Sequence, residues 1–194
     1  MIGVVLCGGQ STRMGADKGL LKSEIGTWAQ IAADKLKTLG IGVKISINTK
    51  QSAEYFNLFT FNDLIPDNES LKVKGPIRGV LSAHLRYPSE DILVLACDML
   101  LMETEILKSL IGQYQKHPKP EAIVFTLDGE PEPLCGIYTA KGLTRIYHSY
   151  KTNQLTKHSM KYVLGCISTS FIHLSDDKKK YFANFNTQAE LNGL

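Results

Sequence analysis

The residue types best suited to chemistry in this chain lie close to its start. Gly8 and Gly9 come one residue after an apolar run at positions 2–6, and glycine lets bare backbone N–H groups approach a ligand closely. The same short stretch supplies one hydroxyl and two cations: Ser11, Arg13 and Lys18. Backbone donors and fixed cations after a buried strand suit a triphosphate, because its charge must be met by preorganised donors. The stretch therefore predicts a phosphate-binding loop, here called the phosphate loop (residues 8–18).

Two common phosphate-binding patterns do not match the phosphate loop. A Walker loop has Ser or Thr directly after its lysine, whereas Gly19 follows Lys18 here. A dinucleotide-binding fingerprint has three glycines at a fixed spacing, which Gly8, Gly9 and Gly15 do not have. The alternative without a function is a glycine-rich turn with incidental charges.

Polar residues also close three later apolar runs of the chain, at Asn48, Asp67 and Asp98. Asp98 is the most informative of them, because it ends the apolar run at 91–98. A carboxylate at such a place is costly to bury unless it meets a cation, and beside a triphosphate that cation would be magnesium. Each of the three residues has a plainer interpretation as a helix cap or a turn residue.

Strand-like and helix-like segments alternate along the whole chain. Strands are expected at 2–6, 43–47, 64–67, 91–98, 122–127, 134–139 and 166–174. Helices are expected between Thr27 and Gly40, at 52–56, after Gly75-Pro76, after Met102-Glu103, around 143–150, at 160–164 and, for one turn, after Thr187.

This alternation predicts an α/β fold, Rossmann-like, with a mostly parallel sheet, helices on both faces and an antiparallel edge. We expect a single domain over residues 1–194, and a mobile loop at 68–74. In such a sheet, ligands bind beyond the carboxyl ends of the strands. The phosphate loop, Asn48, Asp67 and Asp98 all follow such ends.

Composition excludes several classes of function. The chain has 194 residues, 43% of them hydrophobic, and a formal net charge of +3, which is too small to indicate a nucleic acid or an anionic membrane as partner. No apolar run approaches the roughly 18 residues that span a bilayer, so we expect a cytoplasmic protein. The four cysteines, Cys7, Cys97, Cys135 and Cys166, have neither zinc-site nor redox-motif spacing, and we expect them to be reduced. Cys7, Cys97 and Cys135 are expected in the core.

The stretch from Gly8 through Lys18 resembles the GG-x-S-x-RMG-x-DK loop of the molybdenum cofactor guanylyltransferases, and more broadly of nucleotidyltransferases. Three shorter segments are similar to other motifs of that family. They are GP-x-x-G at 75–79, Asp-Met-Pro at 98–100 and Asn-x-Asn-Thr at 184–187. Together these matches extend the resemblance over nearly the whole chain.

The chain departs from the family pattern at three places. Leu100 stands where proline is usual, Arg78 stands where a small residue is usual, and residues 23–28 lack a Gly-x-Pro-type turn. Because of the last departure, the family pattern does not indicate at which residue the first helix starts. Arg78 is either a solvated helix residue or a phosphate contact.

The resemblance implies a nucleotidyltransferase domain with a nucleotide-diphospho-sugar transferase-like fold. It implies that GMP is transferred from GTP to the terminal phosphate of molybdopterin (the molybdenum cofactor), with release of pyrophosphate. It further implies Mg²⁺ as cofactor, and cofactor-delivery proteins and molybdoenzymes as protein partners. No nucleic acid and no membrane is expected as a partner.

The same resemblance, together with strand-end placement, assigns residues to each role. The catalytic residues are Arg13, Lys18 and Asp98, with Asp98 also the metal ligand. Nucleotide binding is assigned to Leu6, Cys7, Gly8, Gly9, Ser11, Lys18, Asn48, Asp67, Gly75 and Asp98. Acceptor binding is assigned to Gly79, Pro133, Leu134, Asn184 and Asn186. Guanine presents N1–H and N2–H donors, so oxygen acceptors on Asn48 and Asp67 would select it over adenine.

Other functions remain open at this point. One alternative is the same reaction with CTP, or with a sugar or polyol phosphate as acceptor. Another is a nucleotide-binding protein without turnover, in which the loop is kept but the acceptor site has decayed. Residues 23–28 and Leu100 keep this second alternative open.

Overall fold

A seven-stranded sheet organises the computed structural model, which describes residues 1–8, 17–116 and 120–185. Its strands are β1 (Ile2–Leu6), β4 (Gly42–Ile47), β5 (Leu64–Pro66), β6 (Ile92–Ala96), β7 (Ala122–Leu127), β8 (Glu130–Tyr138) and β9 (Thr169–His173). Two further short strands, β2 (Lys22–Ser23) and β3 (Gly26–Thr27), form a separate hairpin. The strand order in the large sheet is β5-β4-β1-β6-β8-β7-β9.

Six α-helices cover the two faces of this sheet in the described part of the chain. They are α1 (Trp28–Lys37), α2 (Ser52–Tyr55), α3 (Pro76–Arg86), α4 (Thr104–Tyr114), α5 (Ala140–Lys151) and α6 (Met160–Gly165). Buried side chains of α1 and α4 share one core cluster, and those of α3, α5 and α6 share the other. Along β1, Val5 belongs to the first cluster and Val4 to the second, as the period of two in a strand requires. The prediction of helices on both faces is confirmed.

Strand β1 lies at the middle of the parallel part of the sheet. It pairs in parallel with β4 and with β6, so that Leu6 aligns with Ser46 on one side and with Ala96 on the other. Strand β5 continues the parallel arrangement, with Ile47 opposite Pro66. The carboxyl ends of four strands therefore meet at one edge of the sheet.

One detail of the predicted topology is wrong, although the α/β, mostly parallel class is confirmed. The reversed strand β8 does not form an edge, because it lies between β6 and β7 and is antiparallel to both. The edge strand on this side of the sheet is β9, which runs parallel to β7. Asp128 and Gly129 both have positive φ, 50° and 80°, which closes the tight β7–β8 turn. That turn sets the direction of β8 but not its place in the sheet.

The departure from the family pattern at residues 23–28 leaves the first helix intact. The β2–β3 hairpin ends at Thr27, whose hydroxyl accepts a hydrogen bond from the Gln30 backbone N–H at 3.3 Å. The Gln30 side chain accepts one from the Thr27 backbone N–H at 3.0 Å. This capping box starts α1 firmly at Trp28.

The polar segment at 68–74, expected to be mobile, is attached to the core at two buried side chains. Leu71 and Val73 are buried in the same cluster as α3. The Asn68 N–H donates to the Ser82 hydroxyl at 2.8 Å, and the Arg78 Nε donates to the Val73 carbonyl at 2.9 Å. The interpretation as a mobile loop overlooked these two apolar anchors.

All four cysteines are free thiols, and Cys7, Cys97 and Cys135 are buried, as predicted. Cys166 is exposed. None of the described helices is both long and apolar enough to cross a membrane.

Gly142 gives a test of the contact between α5 and the start of β7. A Cβ at this position would lie 2.5 Å from the Glu121 carbonyl oxygen. Because that oxygen belongs to the backbone, it cannot move aside as a flexible side chain could. We expect Gly142→Ala to lower the free energy of unfolding by about 1–3 kcal/mol in urea denaturation. Gly112→Ala in α4 is the control, because a Cβ there meets nothing within 4 Å. It should stabilise the chain by about 0.5–1 kcal/mol. Equal effects of the two substitutions would contradict the packing described.

Candidate active site

Asp98 and Lys18 form an ion pair at the carboxyl edge of the sheet. The Lys18 Nζ lies 3.0 Å from the Asp98 Oδ2, and the two side chains are 24% and 17% exposed. Asp98 is carried just beyond β6, where the Cys97 N–H donates to the Leu6 carbonyl at 3.2 Å and extends the pairing with β1. Because both charges are largely shielded from water, salt screens this pair less than a surface pair. Two residues predicted to act together, 80 positions apart in the chain, are thus in contact.

The rest of the phosphate loop is described only at its two ends. Gly8 and Lys18 are placed, whereas Gly9, Ser11 and Arg13 lie outside the described residues. Asn186 of the predicted acceptor site, with Thr187 beside it, also lies outside them. The roles assigned to these residues stay predictions.

The segment at 183–185 reaches the same edge from the far end of the chain. The Phe185 backbone N–H donates to the Asp98 carbonyl at 3.1 Å, and the Phe185 side chain is buried. This contact places Asn184, which is exposed, next in sequence to a residue bonded to Asp98. The predicted acceptor residue therefore lies near the predicted metal ligand.

Asn48 and Asp67 follow the neighbouring strands at this edge. The Asp67 N–H donates to the Ile47 carbonyl at 2.7 Å, so the two residues lie beside each other beyond β4 and β5. The Asn48 side-chain oxygen accepts from the Lys50 N–H at 3.0 Å, which makes Asn48 the cap of the turn Thr49–Gln51. Partial burial raises the pKa of Asp67, and the charge of Arg78 opposes that rise. Contact of these residues with a base stays a prediction.

Three residues that sequence reasoning missed hold the end of the phosphate loop; they are called the anchor cluster and comprise Asp17, Gln51 and Tyr55. The Asp17 Oδ1 accepts from the Gly19 N–H at 2.9 Å and from the Tyr55 hydroxyl at 3.2 Å. Its Oδ2 accepts from the Gln51 Nε2 at 2.5 Å. Burial raises the pKa of Asp17, while these hydrogen bonds act in the opposite direction.

Two signals in the sequence pointed to the anchor cluster. Asp17 stands directly before Lys18 in the loop motif. The spacing of Asn48 and Gln51 is that of a capping box, which predicts that the Gln51 side chain folds back on the Asn48 N–H. Neither signal shows that Gln51 also reaches Asp17, because that contact spans 34 positions.

Gly75 and Gly79, at the start of α3, have structural reasons for being glycine. Gly75 has φ 78°, a left-handed conformation that favours glycine, directly before Pro76. Gly79 is buried, and a Cβ there would lie 2.4 Å from the Ser46 hydroxyl and 3.3 Å from Leu6. It lets α3 pack closely against β1 and β4. The nucleotide-binding role of Gly75 and the acceptor-binding role of Gly79 stay predictions.

Pro133 and Leu134 lie in β8, the reversed strand. Pro133 is buried and its carbonyl accepts from the Tyr138 hydroxyl at 2.8 Å. Leu134 is partly buried and packs against both core clusters. The structure supplies a packing role for each, and acceptor binding by this segment stays a prediction.

Asp98 fits a magnesium site of the kind completed by substrate. The described residues contain no group of three or more acidic, histidine or cysteine side chains that could enclose a metal ion. Mg²⁺ does not require one, because it commonly binds through one or two carboxylates, several waters and the phosphates of a nucleotide. A single carboxylate beside a cationic phosphate loop matches that donor set.

Comparisons with known proteins find similarity over nearly the whole chain. A family model described as the MobA-like NTP transferase domain matches residues 3–163. A protein of Flavobacterium johnsoniae, named a probable molybdenum cofactor guanylyltransferase, is 28% identical over 98% of this chain and 94% of its own length. The molybdenum cofactor guanylyltransferase of Campylobacter jejuni is also 28% identical, over 96% of this chain and 92% of its own.

Solved structures share the fold. Molybdopterin-guanine dinucleotide biosynthesis protein A of Archaeoglobus fulgidus superimposes with a TM-score of 0.78, at 20% identity, over 100% of this chain and 96% of that one. The 4-diphosphocytidyl-2C-methyl-D-erythritol synthase of Anaerococcus prevotii superimposes with a TM-score of 0.69, at 10% identity, over 98% of this chain and 92% of that one.

Lys35 of α1 supports the loop that carries Asp98. Its ammonium donates to the Leu100 carbonyl, two residues beyond Asp98. Burial lowers the pKa of Lys35 from its ordinary 10.5 to about 8, although the charge of Glu103 acts to raise it. The loop after β6 is therefore held by a side chain whose pKa is about 8.

This pKa gives a pH test of stability. Between pH 8 and 10.5, the unfolded chain holds a proton on Lys35 that the folded chain has released. The contribution of Lys35 to the free energy of unfolding should therefore rise with pH over that window. Urea denaturation of the wild type and of Lys35→Met at several pH values measures the difference, in which other titrating groups cancel. A difference that is constant or falls with pH would contradict the placement of Lys35.

Proposed function

This chain belongs to the family of MobA-like NTP transferase domains, and we propose that it transfers GMP from GTP to the terminal phosphate of molybdopterin. The observation that carries the proposal is the contact of Lys18 with Asp98 at 3.0 Å. This contact brings the phosphate loop and the strand-end carboxylate into one site. Relatives that match nearly the whole chain are named molybdenum cofactor guanylyltransferases, which supports the choice of substrates.

The reaction is an in-line displacement at phosphorus. An oxygen of the molybdopterin phosphate forms a bond to the α-phosphorus of GTP, and the bond from that phosphorus to the bridging oxygen of pyrophosphate breaks. The attacking phosphate is already ionised, so the site does not need a strong general base. Catalysis then depends on positioning and on charge neutralisation.

Lys18 and Asp98 divide this electrostatic work. Lys18 places an ammonium beside the triphosphate, and Arg13 of the phosphate loop is proposed to add a second cation. Asp98 would hold Mg²⁺, which when bound supplies positive charge to the phosphates. Without nucleotide, the ion pair keeps each of the two half-buried charges compensated. Lys18 and Asp98 are thus already paired before the substrate arrives.

Two sets of residues are proposed to select the two substrates. Asn48 and Asp67 follow neighbouring strands, and we propose that they accept the N1–H and N2–H donors of guanine. Asn184, close to the Asp98 backbone, is proposed to contact the molybdopterin side. We keep the cytoplasm as the expected location, since four free cysteines suit a reducing compartment. Cofactor-delivery proteins and molybdoenzymes remain the expected protein partners.

A nucleotide panel tests base selection and the metal together. Thermal unfolding is measured with GTP, CTP, ATP or UTP, each with Mg²⁺ or with EDTA. GTP with Mg²⁺ should raise the unfolding temperature most, because a ligand at 100 times its Kd adds about 2.7 kcal/mol of stability. A larger shift with CTP than with GTP would show that the protein selects cytosine and not guanine. Equal shifts with Mg²⁺ and with EDTA would show that nucleotide binding does not require the metal. Release of pyrophosphate on adding molybdopterin then separates an enzyme from a nucleotide-binding protein.

Lys18→Ala tests the catalytic cation. Loss of one such charge from a shielded site should raise the barrier by on the order of 3 kcal/mol, or roughly 100-fold in turnover. The free energy of unfolding should also fall, by about 1–3 kcal/mol, because the shielded Asp98 carboxylate loses its ion pair, so turnover is compared under conditions in which both variants are fully folded. Lys37→Ala is the control, since Lys37 forms an exposed surface pair with Asp34 on α1. Pyrophosphate release by Lys18→Ala at the rate of Lys37→Ala would show that Lys18 has no catalytic role.

A further inference from the structure

Gln51 lies where three parts of the site meet. Its side chain is buried, with 8% exposure, between the end of β1, the start of the turn after β4 and the end of the phosphate loop. The Gln51 Nε2 donates to the Cys7 carbonyl at 3.1 Å and to the Asp17 Oδ2 at 2.5 Å. Its Oε1 accepts from the Asn48 N–H at 2.7 Å. Two of these bonds reach the backbone of predicted nucleotide-binding residues, Cys7 and Asn48, and the third reaches Asp17, which directly precedes Lys18.

We propose that Gln51 is a positioning residue for the transfer reaction: by holding Asp17, it fixes the backbone from which Lys18 reaches Asp98, and at the same time it fixes Asn48. This inference rests on the proposed function and deepens it. Gln51 itself has no assigned contact with substrate. It acts through the residues on either side of it.

The surroundings of Gln51 require an amide. Two acceptors, the Cys7 carbonyl and the Asp17 carboxylate, face its nitrogen, and one donor, the Asn48 N–H, faces its oxygen. A carboxylate at position 51 would place an acceptor oxygen where the Cys7 carbonyl and the Asp17 carboxylate need a donor. An apolar side chain would leave these buried polar groups without this partner. A simple helix cap needs only the bond to Asn48. The two bonds from the nitrogen are additional to capping.

Asp17 transmits this constraint to Lys18. Its other oxygen is held by the Gly19 N–H and by the hydroxyl of the fully buried Tyr55, so the residues before and after Lys18 are both attached. The backbone at Gly19 packs closely against Tyr55, because a Cβ on Gly19 would lie 2.1 Å from the Tyr55 hydroxyl. Lys18 thus extends from a fixed backbone to its 3.0 Å contact with Asp98. A reacting group displaced by about 1 Å loses much of its effect on a barrier.

Gln30 offers a matched control within the same chain. Gln30 also closes a capping box, with Thr27 at the start of α1, and its Oε1 accepts from the Thr27 N–H at 3.0 Å. It has no role in the site. Gln51→Met and Gln30→Met each remove a capping glutamine while keeping side-chain length. Only Gln51→Met removes a hold on Asp17.

The test compares the kinetics of the two variants after their stabilities are known from urea denaturation. Gln51→Met should lower kcat about 10- to 100-fold, the range found for residues that orient catalytic groups. Gln30→Met should keep the wild-type kcat despite its lost cap. Tyr55→Phe removes a different donor to Asp17 and should lower kcat by a smaller factor, which keeps the test available if Gln51→Met folds poorly. Wild-type kcat in folded Gln51→Met would overturn the proposal.

A double substitution shows whether Gln51 acts through Asp17. If it does, Gln51→Met should add little to the loss caused by Asp17→Asn, since both remove the same constraint. Multiplying effects on kcat would show that Gln51 acts independently of Asp17, against the proposal.

Amide hydrogen exchange separates failure of this inference from failure of the proposed function. The Gly19 N–H should exchange faster in Gln51→Met than in the wild type, whatever reaction the protein catalyses. In Gln30→Met it should exchange at the wild-type rate. If the wild type transfers no GMP but Gly19 behaves as stated, the proposed function fails and the positioning by Gln51 stands. Unchanged Gly19 exchange in Gln51→Met overturns the positioning, even if GMP transfer is observed.

Discussion

The parallel pairing of β1 with β4 and β6 is the constraint on which the site depends. Both faces of β1 are covered by core clusters, so a shift of register by one residue would turn every side chain to the wrong face. With the register fixed, Leu6 lies between Ser46 and Ala96, and the chain leaves all three strands at one level. Gly8, Asn48 and Asp98, which follow these strands, are then close together as a consequence of core packing. The apolar interior thus sets the distances between polar groups that are far apart in sequence.

Two carboxylates at this edge, those of Asp98 and Asp17, are compensated before any ligand binds. Lys18 pairs with Asp98, and Asp17 has three hydrogen-bond donors around its carboxylate. These two acids differ in a way that suits different tasks. Asp17 is saturated by donors from its own chain and serves as an anchor, while Asp98 faces a cation that substrate phosphates can attract. Preorganisation of this kind reduces the reorganisation that a charged substrate would otherwise require.

Close approach of helices to the sheet completes the arrangement. Gly79 lets α3 lie against Ser46 and Leu6, and Lys35 of α1 binds the carbonyl two residues after Asp98. Contacts in the same region account for one departure from the family pattern. Arg78 binds the Val73 carbonyl and lies near Asp67, so it has a structural role in holding the segment at 68–74. Leu100 stands where proline is usual, and its backbone carbonyl accepts a hydrogen bond from Lys35 that a proline carbonyl could also accept.

Local patterns in the sequence determined the elements, and non-local contacts determined their assembly. The apolar run before Gly8, the carboxylate after β6 and the cap at Thr27 all follow from residues within a few positions of each other, because periodicity and capping are local. The place of β8 inside the sheet depended on which strands pair, which a two-residue turn does not specify. Likewise, the hold of Gln51 on Asp17 and the packing of Gly79 on Ser46 join separate elements. Such contacts exist only once the core has formed, since burial and strand pairing bring distant residues into reach.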